Sequence, residues 1–289
     1  MTVDNGDIKV VKSDGSRVDI DLDKIHVMVS HACKNITGVS ESLVEMNSGL
    51  QFYDGITTKD IQSILIKSAS DLISLENPNY QFVAARLLLF ALQKQVFSTK
   101  WADGKEIYPR LFDMINRNIE SGVYSKELLD HYTEEEIDTC NGYVRHNRDF
   151  DFTYAGLQQI VDKYLVQDRS TGKVYETPQF MYMMISATIF HDYPKAARLR
   201  YVKEYYDAIS KHLINIPTPI MAGVRTPIRQ YASCVLVESD DSLDSIFASD
   251  MAIGYYTSQR AGIGINAGRI RALGSKIRDG EVQHTGVIP

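Results

Sequence analysis

A chain of 289 residues that is 44% hydrophobic and 24% charged has the balance of a soluble globular protein, with room for one large domain or two to three smaller ones. Its net charge of −6 argues against a general nucleic-acid-binding surface, and no apolar run approaches the ~18 residues that cross a bilayer. The opening MTVDNGD has no basic n-region or apolar h-region, and the three cysteines, at 33, 140 and 234, form no CxxC and no metal spacing. A reduced cytoplasmic chain without a secretory signal or a metal is expected.

Residues 7–20, DIKVVKSDGSRVDI, alternate apolar and polar positions on either side of Asp14-Gly15. That pattern predicts a β-hairpin, because glycine readily supplies the positive φ such turns require. Asp21 or Asp23 can then cap a helix through Ile25, Met28, Val29 and Ala32. A second helix follows Thr57 or Thr58, with Ile61, Ile64, Leu65, Leu72 and Ile73 on one face. A third, Tyr80 to Lys94, is apolar almost all round and is expected to be buried. Hairpin and helices together make a compact module over 1–95. From charge alone its lysines, Lys9, Lys12, Lys24 and Lys94, read as a solvated surface.

The following block is placed at 96–220, and its residues 96–215 carry helical signals and no hairpin signal. Thr133-Glu-Glu-Glu136 fits a capping box and a solvated helix start. Tyr154, Leu157, Ile160, Val161, Tyr164 and Leu165 keep helical spacing until Arg169-Ser-Thr-Gly172 breaks it. Thr177-Pro178 restarts a helix with cap and first-turn proline in their favoured places. The Met-rich run Phe180 to Ile189 reads as core packing rather than a cofactor or partner groove. No chemistry is assigned to this block. Ile216-Pro217-Thr218-Pro219 ends the helices, since each proline biases its predecessor toward extended geometry. Over 221–289 short strands alternate with helices, the signature of βαβ architecture.

Within that last part, Ala232–Glu238 and Ala261–Ala267 read as buried strands flanking a helix over Asp244 to Gln259. Ser239, Asp240, Asp241, Ser242 and Asp244 stand where the helix begins, and Arg269, Arg271 and Arg278 follow the second strand. A thiol, Cys234, sits in the Val/Leu run of the first strand. Together these suggest a site for a phosphorylated ligand near redox chemistry, although such a cysteine alone is usually a small core residue. Gly262-x-Gly264-x-x-x-Gly268 is one residue too long for a dinucleotide-binding fingerprint and follows a helix, so a nicotinamide oxidoreductase is disfavoured. Glycines inside a strand more often mark close backbone approach.

The strings PTPIMAGVRTP, SCVLVESDDSLDSI and SQRAGIGINAGRIRALGS resemble the large (alpha) subunit of class I ribonucleotide reductase, of the bacterial or phage type. The resemblance runs from about Lys9 to Pro289. It implies an α+β fold, a mostly helical N-terminal half followed by the opening strands of a ten-stranded α/β barrel. The module over 1–95 resembles an ATP cone. Its nucleotide contacts, carried over by position, are Lys12, the run Val18, Asp19, Ile20, Asp21, Leu22, Asp23 and Lys24, then Thr58, Asp60 and Lys94. Ammonium groups and helix-start amides would offset the triphosphate charge while carboxylates accept from ribose. The chain departs from related bacterial enzymes at Gln62 and Ala91, where they carry histidines, which bears on inhibition by dATP.

By the same resemblance Cys234 is the strand cysteine under the substrate ribose, forming a disulfide with a second cysteine each turnover. Burial would raise its pKa, which suits a hydrogen donor. Thr218, Ser233 and Gly262 would line the diphosphate and ribose. Asp241, Ser242, Leu243, Arg271 and Arg278 would hold a specificity effector, ATP or a deoxynucleoside triphosphate. The helix bearing Met251, Ile253 and Tyr256 would face a second large subunit. Asn-x-Cys-x-Glu, the radical cysteine with its flanking acid–base residues, does not occur in the sequence. The chain is therefore expected to be either a fragment or one half of a split subunit, inactive alone and poorly soluble or oligomeric without its complement. Its implied partners are a complementary C-terminal large-subunit chain, a small subunit holding the radical cofactor, thioredoxin or glutaredoxin, and a ribonucleoside diphosphate substrate. The reading from a different class is a non-catalytic regulatory module that senses ATP or dATP.

Overall fold

The computed structural model describes residues 8–97, 108–259 and 261–288. The opening segment, including the first residue of the predicted hairpin, and part of the predicted block 96–220 lie outside the described residues. Two compact units emerge: one runs to Asn215 and takes in Arg225–Pro227, the other holds Ile216–Val224 and continues from Ile228. Among the described residues no helix is long and apolar enough to cross a membrane.

The first unit opens with the predicted hairpin. Strands β1 (Lys9–Val11) and β2 (Arg17–Asp19) pair antiparallel, Val10 opposite Val18. Gly15 takes φ 82° in the turn, where its N–H bonds to Lys12 O. Helix α1 (Leu22–Cys33) is capped by Asp21, whose carboxylate accepts from Lys24 N at 3.1 Å. That resolves the choice between Asp21 and Asp23. Helix α2 (Glu41–Gly49) and the short strand β3 (Ile56–Thr57) were not legible as elements. The strand has too few residues to show a period, and α2 buries only Val44 and Ser48. β3 pairs parallel with β1 on the side away from β2. Thr57, not Thr58, caps α3 (Thr58–Asp71). Helix α4 (Tyr80–Phe97) is buried as predicted, and Val29, Val44, Ile56, Leu65, Val83 and Leu87 close the core with no exposed surface.

The rest of this unit is helical: α5 (Leu111–Glu120), α6 (Glu127–His131), α7 (Glu134–Tyr143) and α8 (Tyr154–Gln159), which runs on into a π-turn at Ile160–Tyr164. The Thr133 capping box forms in full, each partner bonding the other's backbone. A two-residue hairpin, β4 (Gln167–Asp168) with β5 (Lys173–Val174), corrects the expectation of none in this block. It forms because Asp168 accepts from Ser170 N, Ser170 Oγ and Thr171 Oγ1 at 2.7–2.9 Å and Gly172 takes φ 72°. The residues that break the helix thus build the turn, and those bonds hold Asp168 down at about 2. Helix α9 (Pro178–Ile189) has the predicted first-turn proline and a buried Met-rich body. Thr177 precedes it without forming a side-chain cap. Helix α10 (Lys195–Ser210) packs on α9 and α7. Helix α4 packs on α1 and α3 and also on α8, so one helix serves both the N-terminal module and the helical block. Arg225 is held by the carboxylate of Glu176; both side chains are fully buried and Tyr124 OH donates to the same carboxylate.

In the second unit, Thr218-Pro219 does more than end helices. Proline fits the first turn, where no N–H is needed, and a short helix α11 (Thr218–Gly223) starts there. β6 (Cys234–Glu238), α12 (Leu243–Ser258) and β7 (Gly262–Asn266) then form the predicted β-α-β unit. Its strands are parallel, in register from Cys234 opposite Gly262 to Glu238 opposite Asn266. A hairpin, β8 (Lys276–Ile277) with β9 (Val282–Gln283), follows. The expected burial of β6 and β7 is not met. Leu236 is 88% exposed, because among the described residues α12 is the main element packed on a sheet of two strands. A parallel sheet is buried only where elements cover both of its faces.

Candidate functional site

The hairpin, the start of α1, the start of α3 and the end of α4 enclose a cavity of about 350 Å³. Its floor is apolar, formed by Val10, Val18, Ile20, Ile25, Met28 and Ile61, and its polar wall by Lys12, Asp19, Asp21, Lys24, Thr58, Gln62 and Lys94. The position-derived candidates therefore converge, all but Leu22, Asp23 and Asp60. Leu22 is exposed and Asp23 stands in the first turn of α1. Asp60 is engaged in the cap of α3, accepting from Thr57 Oγ1 at 2.7 Å. The floor residues Ile25, Met28 and Ile61 were missed as site residues, because their helical spacing signals core and does not distinguish a core from a cavity wall. Gln62 is fixed by a 2.8 Å bond from Nε2 to Leu87 O.

The charges in this cavity are unequally matched. Lys24 Nζ meets Asp21 at 2.5 Å, and this bond is the main cause holding the Asp21 carboxyl below its usual range. Lys9 pairs with Asp19. Among the described residues neither Lys12 nor Lys94 forms an ion pair. With the N-terminal ends of α1 and α3 they leave a net attraction for an anion above an apolar floor suited to a flat ring.

In the second unit Cys234, Ser233 and Gly262 come together. Gly262 N donates to Ser233 O at 2.9 Å, and a Cβ on Gly262 would lie 3.5 Å from that oxygen and 3.6 Å from Cys234 Sγ. Glycine thus leaves the thiol uncovered. Cys234 is exposed, which corrects the expected buried thiol. Thr218 opens α11, whose Gly223 lies against Tyr231 and Ile228.

The loop between β6 and α12 gathers the remaining candidates. Ser242 caps α12 by accepting from Ser245 N at 3.2 Å, and Leu243 beside it is exposed. Arg271 donates to Asp241 through Nε at 2.9–3.0 Å and through its backbone N at 3.1 Å, which holds the Asp241 carboxyl down. Arg271 Nη1 also reaches Lys276 O in the β8 strand, 3.3 Å away. Arg278, in the turn after that strand, has φ 52° and no ion pair among the described residues. Arg269, grouped with the other arginines by sequence, instead joins Glu238 at 3.0 Å to Asp240 at 3.2 Å. Arg269 and Arg271 are thus matched by Glu238, Asp240 and Asp241.

A cavity lined by lysines at two helix starts, followed along the chain by a β-α-β unit with a thiol on its first strand, is an arrangement that suits a nucleotide-binding class of protein. Residues 8–95 match the family model described as ATP cone domain, 150–229 the ribonucleotide reductase all-alpha domain, and 232–289 the ribonucleotide reductase barrel domain. The chain is 53% identical over 285 residues to a ribonucleoside-diphosphate reductase subunit alpha of Haemophilus influenzae, covering 99% of this chain and 37% of that protein. It is 52% identical over 285 residues to ribonucleoside-diphosphate reductase 1 subunit alpha of Escherichia coli K12, with the same coverage. To the subunit alpha of Enterobacteria phage T4 it is 47% identical over 285 residues, 98% of this chain and 36% of that protein. The chain belongs to the ribonucleotide reductase large-subunit family. It spans a little over a third of the length of these curated relatives. Its fold is a mostly helical N-terminal region with ATP-cone and all-alpha domains, then the start of the barrel domain with its sheet unclosed.

Proposed function

We propose that this chain is the N-terminal part of a ribonucleoside-diphosphate reductase large subunit that converts ribonucleoside to deoxyribonucleoside diphosphates in the cytoplasm. The observation that carries the reading is the pairing of Cys234 with Gly262, which presents an exposed thiol at the edge of a strand pair. Cys234 and a second cysteine, from the complementary part of the large subunit, give two electrons and two protons as they form a disulfide. The ribose 2′-hydroxyl leaves as water. Thr218, Ser233 and Gly262 position the diphosphate and ribose, and thioredoxin or glutaredoxin reduces the disulfide again. The radical cofactor belongs to the small subunit.

ATP or dATP occupies the cavity of the first unit, with Lys12, Lys24 and Lys94 on its phosphates and Thr58 and the α1 start, Val18 to Lys24, around the nucleoside. A specificity effector, ATP or a deoxynucleoside triphosphate, takes the loop of Asp241, Ser242 and Leu243 with Arg271 and Arg278. Helix α12 presents Phe247, Met251 and Tyr255 to solvent, an apolar face suited to a second large subunit. The test is Cys234→Ser in the assembled enzyme. Reduction should be abolished while ATP binding to the chain stays within about twofold of wild type; retained turnover would refute the assignment. A non-catalytic nucleotide sensor is the second reading, favoured by the cavity alone, and it predicts that the substitution changes nothing.

A further inference from the structure

The first unit contains a cluster of imidazole and carboxylate groups far in sequence from the cavity residues and from Cys234. Glu127 and His131 stand four residues apart on α6, one helical turn. His191 follows the end of α9. Potential ligand atoms of these three half-buried side chains all lie within 4.8 Å of one another. The His131 and His191 rings face each other at 4.3 Å between centroids. Tyr132 OH donates to Ala187 O at 2.9 Å, which ties the end of α6 to the last turn of α9 and fixes the two histidines opposite each other.

The hydrogen bonding of His191 specifies its chemistry. Nδ1 contacts Thr188 O, and a carbonyl can only accept, so Nδ1 carries a proton. The other ring nitrogen, Nε2, lies 3.2 Å from Asp192 Oδ2. In a neutral ring Nε2 is a lone pair facing a carboxylate, and two acceptors repel at that distance. A metal ion held by the ring nitrogen and the carboxylate would relieve that repulsion. Asp192 Oδ1 also lies 3.6 Å from His131 Nδ1, so the same carboxylate serves both rings. A histidine that donates one N–H to a backbone carbonyl and turns its other nitrogen toward carboxylates has the arrangement of an oriented metal ligand.

From this convergence we infer that Glu127, His131 and His191 form a binding site for a divalent transition metal of the zinc type, with Asp192 beside both rings. Two imidazoles and a carboxylate make a three-ligand set suited to Zn²⁺, whose fourth position Asp192 or water would take. Its role is structural: the ion joins α6 to the end of α9. The cysteine spacings that argued against a metal could not reveal it, because its ligands are histidines brought together from residues 131 and 191.

The test is a titration of the full chain with Zn²⁺ against a chromophoric chelator, repeated with Co²⁺ for its visible spectrum. One ion per chain is expected, with the d–d bands of nitrogen and oxygen ligation. His131→Ala and His191→Ala should each weaken binding at least about tenfold, the loss that removal of a mere supporting partner already causes. Far-ultraviolet circular dichroism checks that both variants stay folded; if either does not, Glu127→Gln, which removes a ligand oxygen at constant volume, carries the same expectation. Zn²⁺ should also raise the melting temperature of wild type and leave that of a folded ligand variant unchanged. A thiolate charge-transfer band, which would place the ion on Cys234, overturns the inference. So does affinity that the substitutions leave unchanged, or no uptake.

Discussion

Removing Lys12 and Lys94, the two cavity lysines that form no ion pair among the described residues, tests the nucleotide assignment most directly. A charge-assisted hydrogen bond contributes about 1.5–3 kcal/mol, and an exposed ammonium on a flexible stem falls at the low end. Lys12→Ala and Lys94→Ala should therefore each cost about 1.5 kcal/mol, close to a tenfold rise in Kd at 25 °C. The double variant should lose about a hundredfold if the two contacts are independent. Lys67, paired with Asp71 at 2.8 Å on the outer surface of α3, is the matched control, and Lys67→Ala should leave Kd unchanged. The assay is equilibrium binding of a fluorescent ATP analogue in an Arg271→Ala background, which removes the effector loop as a second site. Repeating it at higher salt should shrink the difference between wild type and variants, since exposed charges are screened. Wild-type affinity in the double variant would show that no triphosphate lies in this cavity.

Three further outcomes follow from the packing. Burial pushes the Cys33 thiol up to about 11 and Cys140 to about 12, whereas Cys234 is exposed; a disulfide reagent at pH 8 should modify one thiol per native chain and three only after denaturation, and Cys234→Ser should abolish the fast reaction. Burial holds His146 down to about 4, so its neutral form is favoured in the folded state and the unfolded chain binds the extra proton. Stability should thus fall as pH drops from about 6.5 toward 4, by up to about 1.4 kcal/mol per pH unit, and His146→Gln should flatten that slope in urea titrations. Arg225→Ala leaves the Glu176 carboxylate buried without its counter-charge and should destabilise the first unit by about 3–5 kcal/mol, read as a lower urea midpoint; a loss below about 1 kcal/mol would mean that water reaches the pair.

The local elements and the resemblance were legible in the sequence because each rests on neighbouring residues. Asp14-Gly15 specifies the hairpin turn, Asp21 and Thr57 each start a helix, Thr133 and Glu136 cap each other, and the apolar residues all round α4 demand burial. The order Cys234, Asp241, Gly262, Arg271 carries the family pattern in one stretch. Where the sequence misled, the outcome depended on what a segment meets in space. The Val/Leu run of β6 reads as buried, yet among the described residues α12 is the main cover of its sheet and Cys234 ends up exposed. Ile25, Met28 and Ile61 have the spacing of core residues and instead floor a cavity, since periodicity reports a face but not whether atoms fill the space beside it. Nothing in the strings around residues 131 and 191 marks them as neighbours; docking of α6 on the end of α9 brings their rings together. The pairing of Glu176 with Arg225, 49 residues apart, was likewise decided by packing alone. Short-range chemistry determines elements, caps and turns, whereas burial, charge pairing and convergence of distant ligands exist only once the chain has folded around them.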